Sequence, residues 1–258
     1  MGRFASTASL YEHLRPPYPS EFFRSVAHKL GLTKQSSLID LGTGPGLLAL
    51  GFGPYVGRVV GVDPEPAMLA AARAAAARAG FGITFIEGKA EDLPADIGGF
   101  DVVTIGRALH WMDHKALGPV FARLVAPGGA IAICASFSAR DGSNPWLEDY
   151  DAARRRWSNE DLLSVSHKGE HAHRNPGDVL GPLGFSVVES IRVEATHEVS
   201  VTDLARRVLT FSSSSPAALG DRAEAMLANI EARLQPLSRD GILNETLVAA
   251  ASVARRQS

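Results

Sequence analysis

The stretch LIDLGTGPGLLAL, residues 38–50, passes from an apolar strand-like run into an apolar helix-like run through glycines at 42, 44 and 46. Glycine weakens both kinds of element. Three at one junction therefore mean either backbone angles that a side chain forbids or the close approach of another group. Outward from this junction lie SLIDLG, RVVGVD, ITFIEG, FDVVTIG and AIAICAS, each a short apolar or β-branched run ending in glycine, an acid or serine. Helical stretches such as PAMLAAARAAAARAG and KALGPVFARLVAPGG separate them, and SEFFRSVAHKLGL precedes them with Phe22, Phe23, Val26 and Leu30 at helical spacing. Strand and helix alternating five times predict βαβ units and a parallel sheet. Strand runs that are apolar on both faces predict helices on both sides of it, a doubly wound α/β arrangement.

After Ser136 the pattern changes. Residues 137–180 are polar and dotted with aromatics, residues 201–240 are mostly helical, and the strand-like segments FSVVESIRVE and TLVAAASVA flank the second stretch. Both stretches are expected as additions outside the sheet. The 258-residue chain has a net charge of -2, and its basic residues are dispersed among acidic ones, so charge gives no support to a nucleic-acid partner. The lone Cys134 sits in an apolar run and is expected to be a structural thiol. No stretch approaches the ~18 apolar residues of a membrane span. The opening residues lack a charged-then-apolar signal segment, which gives a cytoplasmic expectation.

In an open parallel sheet, ligands bind beyond the carboxyl ends of the strands, and the first βα turn comes closest to them. Asp40, Gly42, Thr43, Gly44 and Gly46 occupy that turn. A dinucleotide fingerprint would need its third glycine where this chain has Leu47, and the G-x-x-x-x-G-K-[ST] phosphate loop is missing. Asp63, in GVDPEP, ends the second strand and could accept hydrogen bonds from both hydroxyls of a ribose, or could cap the following helix. Glu91 and Asp92, in GKAEDLP, follow the third strand.

These features in series resemble the class I S-adenosylmethionine-dependent methyltransferases. LIDLGTGPG is similar to their first motif, VVGVDPEPAML to the second, GKAEDLP to the acidic loop and FDVVTIGRALHWMD to the fourth. The resemblance implies a Rossmann-like, seven-stranded, mostly parallel sheet with an antiparallel C-terminal strand and a largely helical lid insertion. It divides the chain into a cover and cofactor-binding half at 1–136, the insertion at 137–180, and C-terminal strands at 181–258 with a helical insertion at 201–240. S-adenosylmethionine is the implied cofactor. Asp40, Gly42, Thr43, Gly44, Gly46, Asp63, Pro64, Met68, Ala90, Glu91, Gly106 and Arg107 are the implied residues around it, the glycines passing under its methionine part. YEHLRPPYP, residues 11–19, and ALHWMD further resemble a subgroup that includes trans-aconitate methyltransferase-like enzymes, although Met112 replaces the usual aromatic. In that subgroup the N-terminal segment closes over the cofactor, which implies Tyr11, Arg15 and Tyr18 near the methyl group, and Trp111 of ALHWMD joins them as an expected substrate-binding residue.

Methyl transfer from a sulfonium is an in-line displacement on an activated carbon, so alignment and water exclusion are the protein's main tasks. A base is required only for a protonated nucleophile, and His110 is the candidate; its other reading is a pocket-wall histidine beside Trp111. Arg107 and Arg15 could each hold a substrate carboxylate or pair with a local acid. The histidines of HKGEHAH (167, 171, 173) and HWMDH (110, 114) complete no tetrahedral set, and no metal is expected. Trp146, Tyr150 and Trp157 read as packing residues, and the Arg154–Arg155–Arg156 run as a solvated helix face. The expectation is an enzyme, monomer or homodimer, that methylates a small molecule at an oxygen or a carboxylate, without a nucleic-acid or membrane partner. The alternative is a non-methylating protein that binds the cofactor on the same fold.

Overall fold

The structure is a computed structural model and describes residues 14–157, 175–211 and 214–257. Tyr11, the histidines at 167, 171 and 173, and Ser212 and Ser213 lie outside the described residues. The chain divides into two compact units.

The larger unit comprises residues 17–135, 172–193 and 249–258. In order it holds α1 (Ser20–Leu30), β1 (Ser37–Leu41), α2 (Leu47–Phe52), β2 (Arg58–Asp63), α3 (Pro66–Ala79), β3 (Thr84–Glu87), β4 (Phe100–Gly106) and α4 (Leu117–Leu124). It also takes most of β5 (Val125–Ser138). The sheet order is β3-β2-β1-β4-β5-β7-β6. Strands β1 to β5 pair in parallel, with Asp40 opposite Gly61 on one side and Thr104 on the other. The order reverses beside β1, which puts the glycine turn at the switch point.

Alternate residues of these strands enter opposite layers, as the period of a strand requires. Ile39, Leu41, Val60, Val62, Val103 and Ile105 pack with Val120, Phe121 and Leu124 of α4. Leu38, Val59 and Val102 pack with Phe22, Phe23 and Val26 of α1 and Leu48 and Phe52 of α2. Phe23 and Phe52 meet edge to face at 5.0 Å, a geometry that adds about 0.5–1.5 kcal/mol beyond burial. Helix α1 stops where the sequence places its glycine, at Gly31 with φ +64°.

The two remaining strands are β6 (Phe185–Ser200) and β7 (Ile242–Arg256). Gln257 donates its backbone N–H to Gly184, just before β6, and Arg256 reaches the carbonyl of Val125 at the start of β5. The end of β7 thus lies by the starts of both neighbours, so β7 is antiparallel and the sheet is mixed, as expected. All three late strands are longer than their apolar runs. The extension of β6 through ATHEVS alternates half-buried and exposed residues, so it lacks the doubly buried pattern that marks β1 to β4.

The smaller unit comprises residues 1–16, 136–171 and 194–248. Its helices are α5 (Leu147–Trp157), α7 (Val201–Arg207), α8 (Pro216–Leu219) and α9 (Ala223–Leu234), while α6 (Pro176–Leu180) belongs to the larger unit. Trp146, Tyr150, Leu204, Val208, Met226, Ile230 and Leu234 form its core. Trp146 donates to Asn244 O at 3.0 Å and Trp157 to Asn229 Oδ1 at 3.2 Å, which places both as packing residues. The arginine run needs correction. Arg155 and Arg156 are solvated, but Arg154 is half-buried with its guanidinium 4.9 Å from the centroid of Phe211. It occupies the inward side of the helix, one turn after Tyr150.

A charged cluster ties the smaller unit together. The carboxylate of Glu245, fully buried, accepts a two-pronged bond from Arg207 at 2.6 and 2.7 Å. Ser138 donates to it at 2.6 Å and His197 Nε2 lies 2.8 Å from it. Arg207 also donates through Nε to Leu14 O at 2.7 Å, which fixes the N-terminal segment to this cluster. Burial alone would raise the Glu245 pKa. The bonds from Arg207, His197 and Ser138 outweigh it and hold the carboxyl down to about 2.

Candidate functional site

Among the described residues, every expected site residue except Arg15 lies in the larger unit, most of them at the carboxyl ends of its strands. The turn after β1 is built from three glycines with left-handed φ, +68° at Gly42, +54° at Gly44 and +88° at Gly46. Each has a separate surrounding. A Cβ at Gly42 would stand 2.4 Å from that of Ala108, so this glycine lets the segment after β4 pack on the turn. At Gly46 it would stand 3.3 Å from the Cβ of Ala72, where the alanine-rich face of α3 approaches. At Gly44 it would meet nothing within 4 Å. Of the three, only the face of Gly44 is open among the described residues.

Two carboxylates support the turn. Asp40, 1% exposed, accepts bonds from Thr43 Oγ1 at 2.7 Å and Thr104 Oγ1 at 2.8 Å. Its pKa is pushed up to about 7, chiefly by burial and further by the charge of Asp63, against the two hydroxyl bonds. Asp63 accepts the Gly44 N–H on Oδ2 and the Glu65 N–H on Oδ1, both at 2.9 Å, and burial raises its pKa too. It does not cap α3, whose N-cap is Glu65 with Pro66 as first residue. Each of its oxygens accepts one of these bonds and has a second lone-pair direction.

The walls follow from the neighbouring strand ends. Met68 and Ala90 are buried, Pro64 is exposed, and Glu91 accepts the N–H of Asp113 at 2.6 Å. After β4, Arg107 holds φ +57°, one of two non-glycine residues with positive φ among the described residues. Its guanidinium lies 5.2 Å from the Tyr18 ring, and a Cβ at Gly106 would lie 3.4 Å from Tyr18 Oη. Tyr18, Gly106 and Arg107 are thus brought together. A side chain held in left-handed backbone costs about 1–2 kcal/mol, and such strain tends to mark functional positions. His110 and Trp111 are exposed neighbours with ring centroids 4.7 Å apart. His114 Nε2 lies on Leu109 O at 2.9 Å, which directs that ring to the backbone. Arg15 is engaged within the smaller unit, donating to Thr210 O at 2.8 Å with its guanidinium 4.2 Å from the Phe211 centroid. Thr104, Ala108 and Ala72 were not among the residues singled out by sequence. Only their registers opposite the turn reveal them.

Residues 38–129 match the family profile of a methyltransferase domain. An uncharacterised methyltransferase of Mycobacterium tuberculosis is 32% identical over 146 residues, which are 57% of this chain and 56% of that protein. The chain thus spans about half the length of the curated relatives it matches. Among solved structures, a putative type II methyltransferase from Anaeromyxobacter dehalogenans superposes with a TM-score of 0.64 at 21% identity, over 94% of this chain and 97% of that one. An S-adenosylmethionine-dependent methyltransferase from Geobacter sulfurreducens, in complex with S-adenosyl-L-homocysteine, gives 0.55 at 19% identity, over 100% and 99%. No helix among the described residues is long and apolar enough to cross a membrane.

Proposed function

We propose, for a chain whose residues 38–129 match the profile of a methyltransferase domain and whose sheet has the order β3-β2-β1-β4-β5-β7-β6, that it transfers a methyl group from S-adenosylmethionine to a small-molecule acceptor. The observation that carries this reading is the union of Gly44 and Asp63. A turn glycine with an open face donates its N–H to a buried acid that ends the next strand. The residues fit the cofactor. The space a Cβ would fill at Gly44 gives a ligand access to the backbone. The remaining lone pairs of Asp63 suit two ribose hydroxyls. Met68, Ala90 and Glu91 supply an apolar wall with an acid at its rim. Bound there, the cofactor would supply a methyl group on a positive sulfur.

The chain's own tasks are then positioning and proton handling. The Asp40 bonds to Thr43 and Thr104 stiffen the turn from below, so that Gly44 and Asp63 are held before a ligand arrives. Tyr18 and the strained Arg107 face each other by Gly106 and belong to the acceptor side. His110 is the base for an acceptor with a protonated oxygen, and has no proton to remove from a carboxylate acceptor.

Two measurements test the reading. Calorimetry should give low-micromolar or tighter affinity for S-adenosyl-L-homocysteine, about -8 kcal/mol, and Asp63→Ala should weaken it by about one to two orders of magnitude. Formation of S-adenosyl-L-homocysteine with an oxygen or carboxylate acceptor should follow. Binding without turnover on any such acceptor supports the non-methylating alternative, and absence of binding overturns both.

A further inference from the structure

Two acids hold one dipeptide of the turn after β1. Asp40 accepts the hydroxyl of Thr43 at 2.7 Å, and Asp63 accepts the N–H of the next residue, Gly44, at 2.9 Å. Thr43 donates its own N–H to Val62 O, the residue before Asp63, at 2.9 Å. Asp40, the turn and Asp63 are thus one bonded cluster beside the face of Gly44 that is open among the described residues.

The bonds that Asp40 accepts come from neutral donors, the hydroxyls of Thr43 and Thr104 and the backbone of Ala49. Its register partner in β2 is Gly61, where a Cβ would stand 2.8 Å from the Phe85 ring and 3.0 Å from Thr43 Oγ1. The space this glycine leaves is taken by an apolar ring and by the hydroxyl that bonds Asp40. The titratable groups on the surrounding elements leave the charge of Asp40 in place. Asp63, ending β2, is a second acid. Cys134, on β5, is buried, and burial and Asp40 both keep its thiol protonated. Asp101, at the far end of β4, accepts bonds from Ser37 at the far end of β1. Helix α2 carries no titratable residue. Arg73 of α3 reaches Phe85 O, and the Arg107 guanidinium lies by the Tyr18 ring. A buried acid with neutral donors and a second acid for a neighbour holds its proton more readily than in water. Burial, with Asp63 adding to it, pushes the Asp40 carboxyl up to about 7.

S-adenosylmethionine differs from S-adenosyl-L-homocysteine by one methyl group and by the positive charge that this group puts on sulfur. In surroundings that exclude water, such a charge acts over several ångströms. It attracts an ionised carboxylate and leaves a protonated one indifferent, so it acts most on an acid that exchanges its proton near neutrality. We propose that Asp40 loses its proton to solvent when the charged cofactor binds and regains one from solvent with the product, so that this residue sets the preference of the site for S-adenosylmethionine over S-adenosyl-L-homocysteine. This role rests on the methyl-transfer reading and couples a proton to the exchange of cofactor.

Calorimetry of the full chain in two buffers of different ionisation enthalpy counts the protons. At pH ~6.5, binding of S-adenosylmethionine should release about half a proton or more, and binding of S-adenosyl-L-homocysteine less. Affinity for S-adenosylmethionine should then rise about threefold or more per pH unit between pH ~5.5 and ~7, and affinity for the product more gently. Asp40→Asn keeps an oxygen for a hydroxyl bond but cannot ionise, so it should release no proton and bind the two compounds in a ratio independent of pH. Thr104→Val removes one hydroxyl bond from the carboxylate and should move the release to higher pH. A structural role alone for Thr104 would weaken both compounds without moving that midpoint. Should Asp40→Asn not fold, the wild-type count and Thr104→Val decide. Binding without proton release in the wild-type chain, equal release with the two compounds, or undiminished release in Asp40→Asn each overturns the role of Asp40 and leaves the methyl-transfer reading standing. Failure of both compounds to bind at any pH overturns that reading, and the role of Asp40 with it.

Discussion

Asp40 near the end of β1 and Glu245 in β7 are carboxylates of nearly equal burial, 1% and 0% exposed, and they respond to it in opposite directions. Asp40 receives only neutral donors, the hydroxyls of Thr43 and Thr104 and the backbone of Ala49, and its pKa rises to about 7. Glu245 receives the Arg207 fork as well as Ser138 and His197, and its pKa falls to about 2. Hydroxyl bonds reduce the cost of burying a carboxylate without removing it, whereas a full opposite charge in forked geometry removes it. The turn therefore sits on a group that gives up stability at neutral pH. The smaller unit is held by one that gains it there.

The largest effect expected from this contrast comes from breaking the fork. Arg207→Leu leaves Glu245 buried without its counter-charge and should cost about 3–5 kcal/mol in urea unfolding. Adding Glu245→Leu to that variant should restore most of the loss, because the penalty belongs to the orphaned charge. A double variant as unstable as the single one would mean that the cluster acts through its bonds to Leu14 and Ser138 instead.

The next effect is on pH dependence, and the two carboxylates should give slopes of opposite sign. Asp40 holds its proton more tightly in the folded chain than at its ordinary value of 3.8. Its contribution is fully present below pH ~4 and is lost as pH rises through about 7, on the order of 3–4 kcal/mol across that window. Glu245 is the reverse. Its contribution is present above its ordinary value of 4.5 and is lost as pH falls toward about 2. Asp40→Asn should therefore flatten the decline between pH 4 and 7 and leave the acid limb unchanged. Unfolding curves collected from pH 3 to 8 read both limbs, and an Asp40→Asn curve parallel to wild type from pH 4 to 7 rules out the raised value.

The same contrast decides what could be read from sequence. Asp40, Thr43, Gly44 and Asp63 fall within one βαβ unit, where strand, turn and helix follow one another and spacing alone places them. Thr104 reaches Asp40 only through the register of β1 with β4, and Ala108 and Ala72 meet the glycines only in three dimensions. The Glu245 cluster was not legible. Its members are 38, 48 and 107 positions from Glu245, and nothing local distinguishes that acid from any other in a strand. Arg154 was misjudged for a related reason: three successive arginines read as a solvated face, although a helix turns 100° per residue and can direct one of them inward.

The smallest effect on stability, and the sharpest test of the turn, compares two glycines in the same backbone state. Gly44 and Gly31 have φ of +54° and +64°, and at neither would a Cβ meet any atom of the described residues within 4 Å. Alanine at either position pays only the left-handed strain, about 1–2 kcal/mol. Gly42→Ala is a poorer probe, because its new methyl would collide with Ala108 and confuse a folding defect with a ligand effect. Gly44→Ala and Gly31→Ala should therefore melt alike. They should part in affinity for S-adenosyl-L-homocysteine, with Gly44→Ala weakened at least tenfold and Gly31→Ala unchanged. In Gly44→Ala the new methyl would occupy the space that a ligand needs in order to reach the backbone beside Asp63. Equal affinities would show that Gly44, like Gly31, is a requirement of the backbone alone, and the open face beside Asp63 would lose its claim to the cofactor.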